Sequence, residues 1–213
     1  MPSDPQPARA RRKDAALNRE RLVQAAREVF ARQGLGATLE DIAQHAGVGI
    51  GTVYRNFASK EEIVDTLYRE TLDAILVGMR SSLEIEDPWK ALVTFFELTA
   101  EAQARDRGLC EIIVGNGGAR LTDALSGEIA DALTVLFDKA RAAGVIRGDA
   151  SATDVWPIFA MLYTLYGVSE QNPDLWRRYL ALLLDGLRAG DRPALPGPPL
   201  DIAAMRSLLA TAG

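Results

Sequence analysis

Residues 38–60 read TLEDIAQHAGVGIGTVYRNFASK. This stretch predicts two short helices joined by a tight turn, and a third helix that follows at once. Thr38 is a good N-cap for the first helix, and Asp41, three residues later, can bond back to it in a capping box. Gly47 ends that helix, because glycine readily takes the positive φ that such a turn requires.

The helix after the turn, predicted over about residues 50–56, is short and polar. Val53 and Phe57 anchor it inward, while its other residues include Thr, Tyr, Arg and Asn. Ser59 and Glu62 then predict a second capping box, which opens a longer helix. A short polar helix held between capped helix starts suits insertion into the major groove of DNA.

This pattern resembles the N-terminal domain of the TetR family of bacterial transcriptional regulators, and the resemblance covers residues 17–64. The matching motifs are Thr-x-x-Asp-Ile-Ala at 38–43, Ala-Gly-Val at 46–48, Gly-Thr-Val-Tyr-Arg-x-Phe at 51–57 and Ser-Lys-Glu-Glu at 59–62. Two positions depart from the family pattern: Gly49 stands where serine is common, and Asn56 where histidine is common. The resemblance implies an all-α regulator in a bacterial cytoplasm that binds double-stranded DNA through a helix-turn-helix.

Carried over residue by residue, the resemblance implies a set of DNA contacts. Ile50 and Arg55 are implied to lie nearest the base edges, where Ile50 can only pack on a thymine methyl and Arg55 can bond a guanine bidentately. Phosphate contacts position such a protein, and base contacts select the sequence. The positions implied to contact phosphates are Thr38, Gly49, Thr52, Tyr54, Asn56 and Lys60.

Charge is divided unevenly along the chain, whose formal net charge is −5. Residues 1–60 carry ten Lys or Arg and six Asp or Glu, a net charge of +4, whereas residues 61–213 carry −9. A basic head on an acidic body orients the head toward DNA. We expect residues 1–14 to form an unstructured basic arm whose Arg11 and Arg12 follow the DNA backbone or minor groove. A merely solubilising tail is the alternative.

Helical periodicity in the remaining sequence predicts an all-α protein of two parts. A helix from Ser59 to about Ser81 is longer than the head needs, so we expect it to bridge head and body. The Gly-Asn-Gly-Gly run at 115–118 lacks the strand and the Lys-Ser/Thr sequel of a phosphate-binding loop, and predicts a loop between helices. The predicted regions are the arm at 1–14, the helix-turn-helix domain at 15–62, an effector-binding and dimerisation body at 63–190, and a Pro/Gly linker and tail at 191–213.

Two segments near the C-terminus predict a homodimer. Residues 154–168 are apolar all round, and residues 173–187 carry apolar residues on two faces, more than one chain's core can easily cover. Packing both segments against the same pair from a second copy is the simplest solution. The last two core helices form the dimer in the TetR family. Interface residues are expected to include Tyr166, Trp176, Tyr179 and Leu183.

Aromatic and sulfur-containing residues are frequent in the body. In the family such a core encloses an apolar pocket for a small-molecule effector, and a plain packed core or dimer interface is the alternative. Glu97 and Glu101, one helical turn apart, can meet a cationic ligand or form a solvated helix face. The residues expected to line an effector pocket are Trp89, Phe96, Cys110, Phe159 and Tyr163.

Signatures of other functional classes are absent from the sequence. There is no His-Glu-x-x-His, Walker or Gly-x-Ser-x-Gly motif, so we expect no enzyme. His45 is the single histidine, so we expect no metal and no cofactor. The single Cys110 excludes an internal disulfide and is either a redox switch or a buried, inert thiol. No apolar run approaches the roughly 18 residues of a membrane span, and no secretory signal is recognisable.

We therefore expect a homodimeric transcriptional repressor that binds a palindromic operator and leaves it when an effector binds. One alternative is a small-molecule sequestering protein with a non-functional DNA-binding head. Another is an activator, or a repressor that needs its ligand to bind DNA, of the same fold.

Overall fold

The structure, a computed structural model, describes residues 8–105, 127–166, 172, 174–201 and 203–204, with the backbone alone described at 8–16 and 105. Within these ranges the chain forms eight α-helices and no β-strand, as predicted. No helix in the described ranges is long and apolar enough to cross a membrane. The helices are α1 Ala8–Gln33, α2 Leu39–Ala46, α3 Ile50–Asn56, α4 Lys60–Leu83, α5 Pro88–Arg105, α6 Glu128–Ala142, α7 Val155–Tyr166 and α8 Leu175–Leu187.

The first helix starts earlier than the sequence predicted. We expected an unstructured arm over residues 1–14, but α1 begins at Ala8 and includes Arg11 and Arg12. Alanine and arginine have high helix propensity, and no proline follows position 7 to interrupt the run. The two arginines therefore lie on a helix that leads into the head. Residues 1–7 and Cys110 lie outside the described residues.

The head core joins α1, α2, α3 and the first half of α4. Val53 of α3 and Phe57, directly after it, are almost completely buried in this core. They fix the short α3 against the other three helices, so its orientation is set by tertiary packing. The largest fully buried side chains of the head core are Leu22, Phe30, Ile42, Phe57, Ile63 and Leu67.

The body core joins the second half of α4 with α5 to α8. Helix α4 serves both cores, because Leu67 is buried in the head and Met79 in the body, which confirms the predicted bridging helix. Leu72 of α4 and Trp156 of α7 each pack against both cores. Head and body therefore meet at these two side chains.

The chain after α8 is fastened to the loop that follows α6. The backbone N–H of Arg147 donates to the Leu187 carbonyl at 2.9 Å. Asp149 Oδ1 pairs with Arg147 Nε at 2.5 Å, and Asp149 Oδ2 accepts from the backbone N–H of Leu195 at 2.8 Å. The start of the segment predicted as a linker and tail, 191–213, is thus tied to the body, and residues 202 and 205–213 lie outside the described residues.

Candidate nucleic-acid interface

The start of α2 has the capping box that the sequence predicted. The Thr38 hydroxyl accepts from the backbone N–H of Asp41 at 3.2 Å. In return, Asp41 Oδ2 accepts from the Thr38 hydroxyl at 2.7 Å and from the Thr38 backbone N–H at 2.8 Å. The two bonds that Asp41 accepts lower its pKa, and the bond from the Thr38 side chain has the larger effect. Thr38 is exposed at the end of α2 that attracts anions, where a phosphate contact is expected.

The turn after α2 takes the form that glycine favours. Gly47 has φ +68°, in the left-handed region. The Val48 N–H donates to the Ala43 carbonyl at 3.0 Å, and the Gly47 N–H to the Gln44 carbonyl at 3.2 Å. This pair of bonds is a Schellman motif, which satisfies the last carbonyls of α2 and redirects the chain into α3.

Helix α3 has an inner and an outer face. Val53 is fully buried, and Ile50, one turn earlier, is half-buried against the head core. The outer face carries Gly51, Tyr54 and Arg55, all exposed, with Tyr54 at 56%. Part of the Ile50 side chain, expected at the base edges, is therefore taken up by packing. The sequence analysis did not identify Gly51 as a residue of this outer face, although its position four residues before Arg55 places it there.

The polar side chains of α3 bond to their own helix. Arg55 donates from Nε to the Gly51 carbonyl at 3.1 Å and from a terminal nitrogen to the Thr52 hydroxyl at 3.0 Å. The Asn56 amide donates to the Thr52 carbonyl at 2.8 Å. These bonds use two of the five N–H donors of the Arg55 guanidinium, which leaves three for a base. Asn56, expected at a phosphate, directs its amide N–H along the helix.

Lys60 occupies the first turn of α4 and reaches back across the head. Its ammonium donates to the Leu35 carbonyl and lies 5.9 Å from the centroid of the Phe30 ring. An ammonium has three N–H donors, so the bond to Leu35 leaves two for a phosphate. Lys60 therefore combines an internal bond with its expected contact to DNA.

The second predicted capping box is only half formed. The Ser59 hydroxyl accepts from the backbone N–H of Glu62 at 3.4 Å, as expected for the N-cap of α4. The reciprocal bond runs instead from the backbone N–H of Ala58 to Glu62 Oε2, at 2.7 Å. Glu62 reaches one residue further back, and its other carboxylate oxygen faces α1.

Arg19 of α1 ties the end of α3 to α4, a role that the sequence reading missed. One guanidinium nitrogen donates to the Asn56 carbonyl at 2.7 Å, and another lies 3.4 Å from the Thr66 hydroxyl and 3.5 Å from Glu62 Oε1. The guanidinium carbon lies 4.1 Å from the centroid of the Phe57 ring. Arg19 thus holds the C-terminal end of α3, where a helix attracts cations.

His45 lies on the exposed surface of α2 and bonds to α1. Its Nε2 is 2.6 Å from Glu28 Oε2, and its Nδ1 is 2.9 Å from an Arg32 guanidinium nitrogen. The hydrogen bond from His45, and then that from Gln24, lowers the pKa of Glu28. Among the described residues no group of three or more His, Cys, Asp or Glu side chains has an arrangement that could hold a metal ion.

The residues expected to line an effector pocket are not gathered at one place. Trp89 borders a surface groove of about 350 Å³ between α5 and α8, with the Arg188 guanidinium 4.0 Å above its ring. Phe96 is fully buried and stacks on Phe159 at 5.4 Å, and Phe159 lines a small inner cavity. Tyr163 is half-buried on α7. Trp89 thus borders a surface groove and Phe96 lies in the packed core, and their contact with an effector stays a prediction.

Of the expected interface residues, Tyr166 lies on α7, and the other three divide between two faces of α8. Trp176 is 3% exposed, belongs to the body core and meets the Tyr166 ring edge-to-face at 6.4 Å. Leu183 is half-buried, whereas Tyr179 and Leu182 are 42% and 58% exposed. Trp176 is therefore a core residue, because it shares its helix face with Leu180 and Leu184. Four exposed residues, Ala160, Met161, Tyr179 and Leu182, form the face on which a dimer is expected, and we name it the dimer face.

Sequence comparison divides the chain in the same way as the two cores. Residues 22–67 match the family of bacterial regulatory proteins of the tetR type. Residues 87–189 match the C-terminal domain of SbtR-like transcriptional regulators. The first match covers the helix-turn-helix, and the second covers α5 to α8.

Individual relatives agree with these family matches. The chain is 33% identical over 111 residues to the regulators SrpR and TtgW of Pseudomonas putida, a stretch that is 52% of this chain, 52% of SrpR and 82% of TtgW. It is 40% identical over 86 residues to the repressor KstR2 of Mycobacterium tuberculosis, 39% of this chain and 43% of KstR2. The chain thus spans about half the length of SrpR and less than half of KstR2.

Solved structures extend the similarity to the whole fold. The regulator SCO0520 of Streptomyces coelicolor is 32% identical, with a TM-score of 0.55 over 80% of this chain and 98% of that one. PfmR of Thermus thermophilus is 25% identical, with a TM-score of 0.62 over 80% and 97% of the two chains. The chain belongs to the TetR family of transcriptional regulators, with a helix-turn-helix head and an SbtR-like C-terminal domain.

Proposed function

We propose that this chain is a homodimeric repressor that binds a palindromic operator with two heads and releases it when a small molecule enters the body. The observation that carries the proposal is the outer face of α3. Tyr54 and Arg55 are exposed there, on a helix that Val53 and Phe57 hold firmly in the basic head. Arg55 reads a guanine, and Tyr54, Thr38, Thr52 and Lys60 hold phosphates.

The exposed apolar residues of the dimer face support a homodimer. Met161, Tyr179 and Leu182 are large apolar side chains exposed on adjacent helices, with the small Ala160 beside them. Gly186 continues the exposed face of α8 and has open space around it, so another helix can approach closely. A two-fold interface buries the same face on both copies. Two heads related in this way fit half-sites about 34–36 Å apart, or a multiple of a helical turn.

Contacts between head and body support release by an effector. Tyr68 of α4 belongs to the head core and also lines the inner cavity, while Leu72 and Trp156 pack against both cores. A molecule that enlarges this cavity moves α4 relative to the body and changes the spacing of the two heads. Because the two sites share one equilibrium, effector and operator weaken each other's binding by the same factor. The name of the relative KstR2 as a repressor supports repression as the output.

Arg55 gives a direct test of the DNA-binding role. The full-length protein is incubated with a randomised 40-base-pair duplex pool, and the bound fraction is sequenced over several rounds. The wild type is expected to enrich a palindrome, whereas Arg55→Ala binds weakly and enriches none. Arg178→Ala, which removes an exposed arginine from α8, is expected to behave as the wild type. Enrichment of the same palindrome by Arg55→Ala contradicts base reading by this residue.

A ligand-sequestering protein with an inactive head is the second candidate. The observation in its favour is that Arg55, Asn56 and Lys60 all bond to their own chain. Selection from the duplex pool by the wild-type protein separates the two functions, because a sequestering protein enriches no sequence at any salt concentration.

A further inference from the structure

Two adjacent voids lie next to the junction of head and body. The outer void, which we name the cleft, has a volume of about 170 Å³ and lies between α1, α4 and α5. The inner cavity has about 20 Å³, room for roughly one water molecule, and lies between α4, α5, α6 and α7. Ile75, Thr99 and Gln103 line both voids. These three residues form a neck between a surface opening and the body core.

The neck carries polar side chains that are at least nine-tenths buried. Thr99 is 7% exposed and Gln103 9%. Gln103 Oε1 lies 3.4 Å from the Tyr166 hydroxyl, which donates to it. The structure gives the Thr99 hydroxyl no hydrogen-bond partner among the described residues. Thr71 in the cleft differs, because its hydroxyl donates to the Leu67 carbonyl at 2.8 Å.

The wall of the inner cavity is apolar, and the charges in the wall of the cleft balance each other. The described wall of the inner cavity has no charged side chain, and its rings and aliphatic groups include Phe95, Leu133, Trp156 and Phe159. The described wall of the cleft has one cation and one anion, Arg27 and Glu70, which pair with each other at 2.8 Å. A charged ligand therefore has to compete with an existing ion pair, whereas an uncharged ligand does not.

We propose that the cleft is the entrance for the effector and that the effector is an uncharged, mostly apolar molecule with one hydrogen-bonding group. Its polar group bonds to the Thr99 hydroxyl in the neck, and its apolar body enters between Leu133, Trp156 and Phe159. This inference rests on the proposed effector-released repressor and names the ligand class of its site.

The size of the inner cavity links occupancy to a change of structure. Pockets for drug-sized ligands measure about 300–1,000 Å³, far above the volume present here. Entry therefore requires the Trp156 and Phe159 rings to move apart. Because Trp156 also packs against the head core, this movement is transmitted to the head.

A pair of fluorescent probes tests the ligand class on the full-length protein without DNA. N-phenyl-1-naphthylamine is uncharged, with one N–H on two apolar ring systems, and 8-anilinonaphthalene-1-sulfonate has the same skeleton with an added sulfonate. The uncharged probe is expected to bind saturably, one per chain, and at least about tenfold more tightly than the sulfonate. Equal binding of the two, or no saturable binding of the uncharged probe, overturns the proposed class.

Two threonine variants test the neck. Thr99→Val keeps the shape and removes the hydroxyl, so the affinity for N-phenyl-1-naphthylamine is expected to fall about fivefold, the effect of one hydrogen bond. Thr134→Val is the matched control, because the Thr134 hydroxyl of α6 donates to the Ala130 carbonyl at 2.9 Å and lines neither void, and it is expected to change the affinity less than twofold. Equal effects of the two variants overturn the role of Thr99.

Two tryptophan variants test the entrance. Ala102 is exposed at the cleft wall, so Ala102→Trp is expected to slow or abolish binding of the uncharged probe without disturbing the core. Ala142→Trp, exposed at the end of α6, is the control and leaves binding unchanged. If the uncharged probe binds Ala102→Trp at the wild-type rate and affinity, the cleft is not the entrance.

DNA release is measured separately, so the two proposals fail separately. If the probe binds and operator affinity is unchanged, the result supports the proposed ligand site and contradicts effector-driven release. Operator binding by a protein that takes up no uncharged probe sustains the DNA-binding function and contradicts the site.

Discussion

Replacing Arg19 with methionine removes the guanidinium that ties α3 to α4 and keeps most of the apolar stem. A charged hydrogen bond such as that to the Asn56 carbonyl contributes about 1.5–3 kcal/mol, and we take the lower half because Arg19 is 41% exposed. The cation–π contact with Phe57 adds about 0.5–1 kcal/mol. The exposed pair with Glu62 at 3.5 Å adds about 0–0.5 kcal/mol. The expected loss is about 2–4 kcal/mol of unfolding free energy.

Stability and DNA binding are measured on the same variant. For a chain of this size the loss corresponds to a fall of about 4–16 °C in the melting temperature. Operator affinity is expected to fall about tenfold, or about 1.4 kcal/mol, because a tilted α3 weakens base contacts worth about 1–3 kcal/mol each. The slope of log affinity against log salt stays unchanged, since Arg19 faces its own chain.

Arg21→Met is the matched control, because Arg21 lies exposed on the same helix and its loss makes the same change in net charge. It is expected to shift the melting temperature by less than about 2 °C and operator affinity by less than about twofold. Equal stability of Arg19→Met and Arg21→Met excludes a stabilising tie between α3 and α4 through Arg19. A salt slope lowered by about 1 with unchanged stability shows instead that Arg19 contacts a phosphate.

Three further changes test other parts of the account. Lys60→Ala is expected to weaken DNA binding on all sequences and to lower the salt slope by about 1, and an unchanged slope argues against a phosphate contact. Leu182→Glu buries a charge at the dimer face and is expected to weaken self-association at least about a hundredfold in sedimentation equilibrium, whereas the exposed Val135→Glu on α6 leaves it unchanged. Hydrogen bonds lower the pKa of Asp149 from 3.8 to about 2, and the bond from Arg147 has the largest effect. The ionised Asp149 therefore stabilises the fold above pH 3.8, and this stabilisation is lost as the pH falls toward 2. The difference in melting temperature between wild type and Asp149→Asn is therefore expected to shrink over that range, and a constant difference contradicts the ion pair.

Local chemistry made much of the head predictable. A capping box and a left-handed glycine act over three or four residues, so Thr38, Asp41 and Gly47 signal α2 and its turn directly. The same short-range rules placed the helical elements and the bridging α4. Membership of a family of transcriptional regulators also confirms the expectation of a non-enzymatic protein. The individual contacts of the head residues with DNA stay predictions.

Long-range packing was less predictable. Arg19 meets partners 37 to 47 residues away, and no local pattern marks such a contact. Both faces of α8 are apolar, so periodicity alone could not tell the core side, with Trp176, from the exposed side, with Tyr179 and Leu182. Composition misled us at Ala8, because Ala- and Arg-rich sequence is equally typical of a helix and of a basic arm.

Selection of bound fragments from the source organism's chromosomal DNA, by the full-length protein at near-physiological salt, decides whether this chain is a dimeric operator-binding regulator. We expect a palindrome upstream of a few genes, occupied by two chains, with half-sites about one helical turn or a multiple apart. Recovery of no preferred sequence, or of a site bound by a single chain, contradicts this expectation.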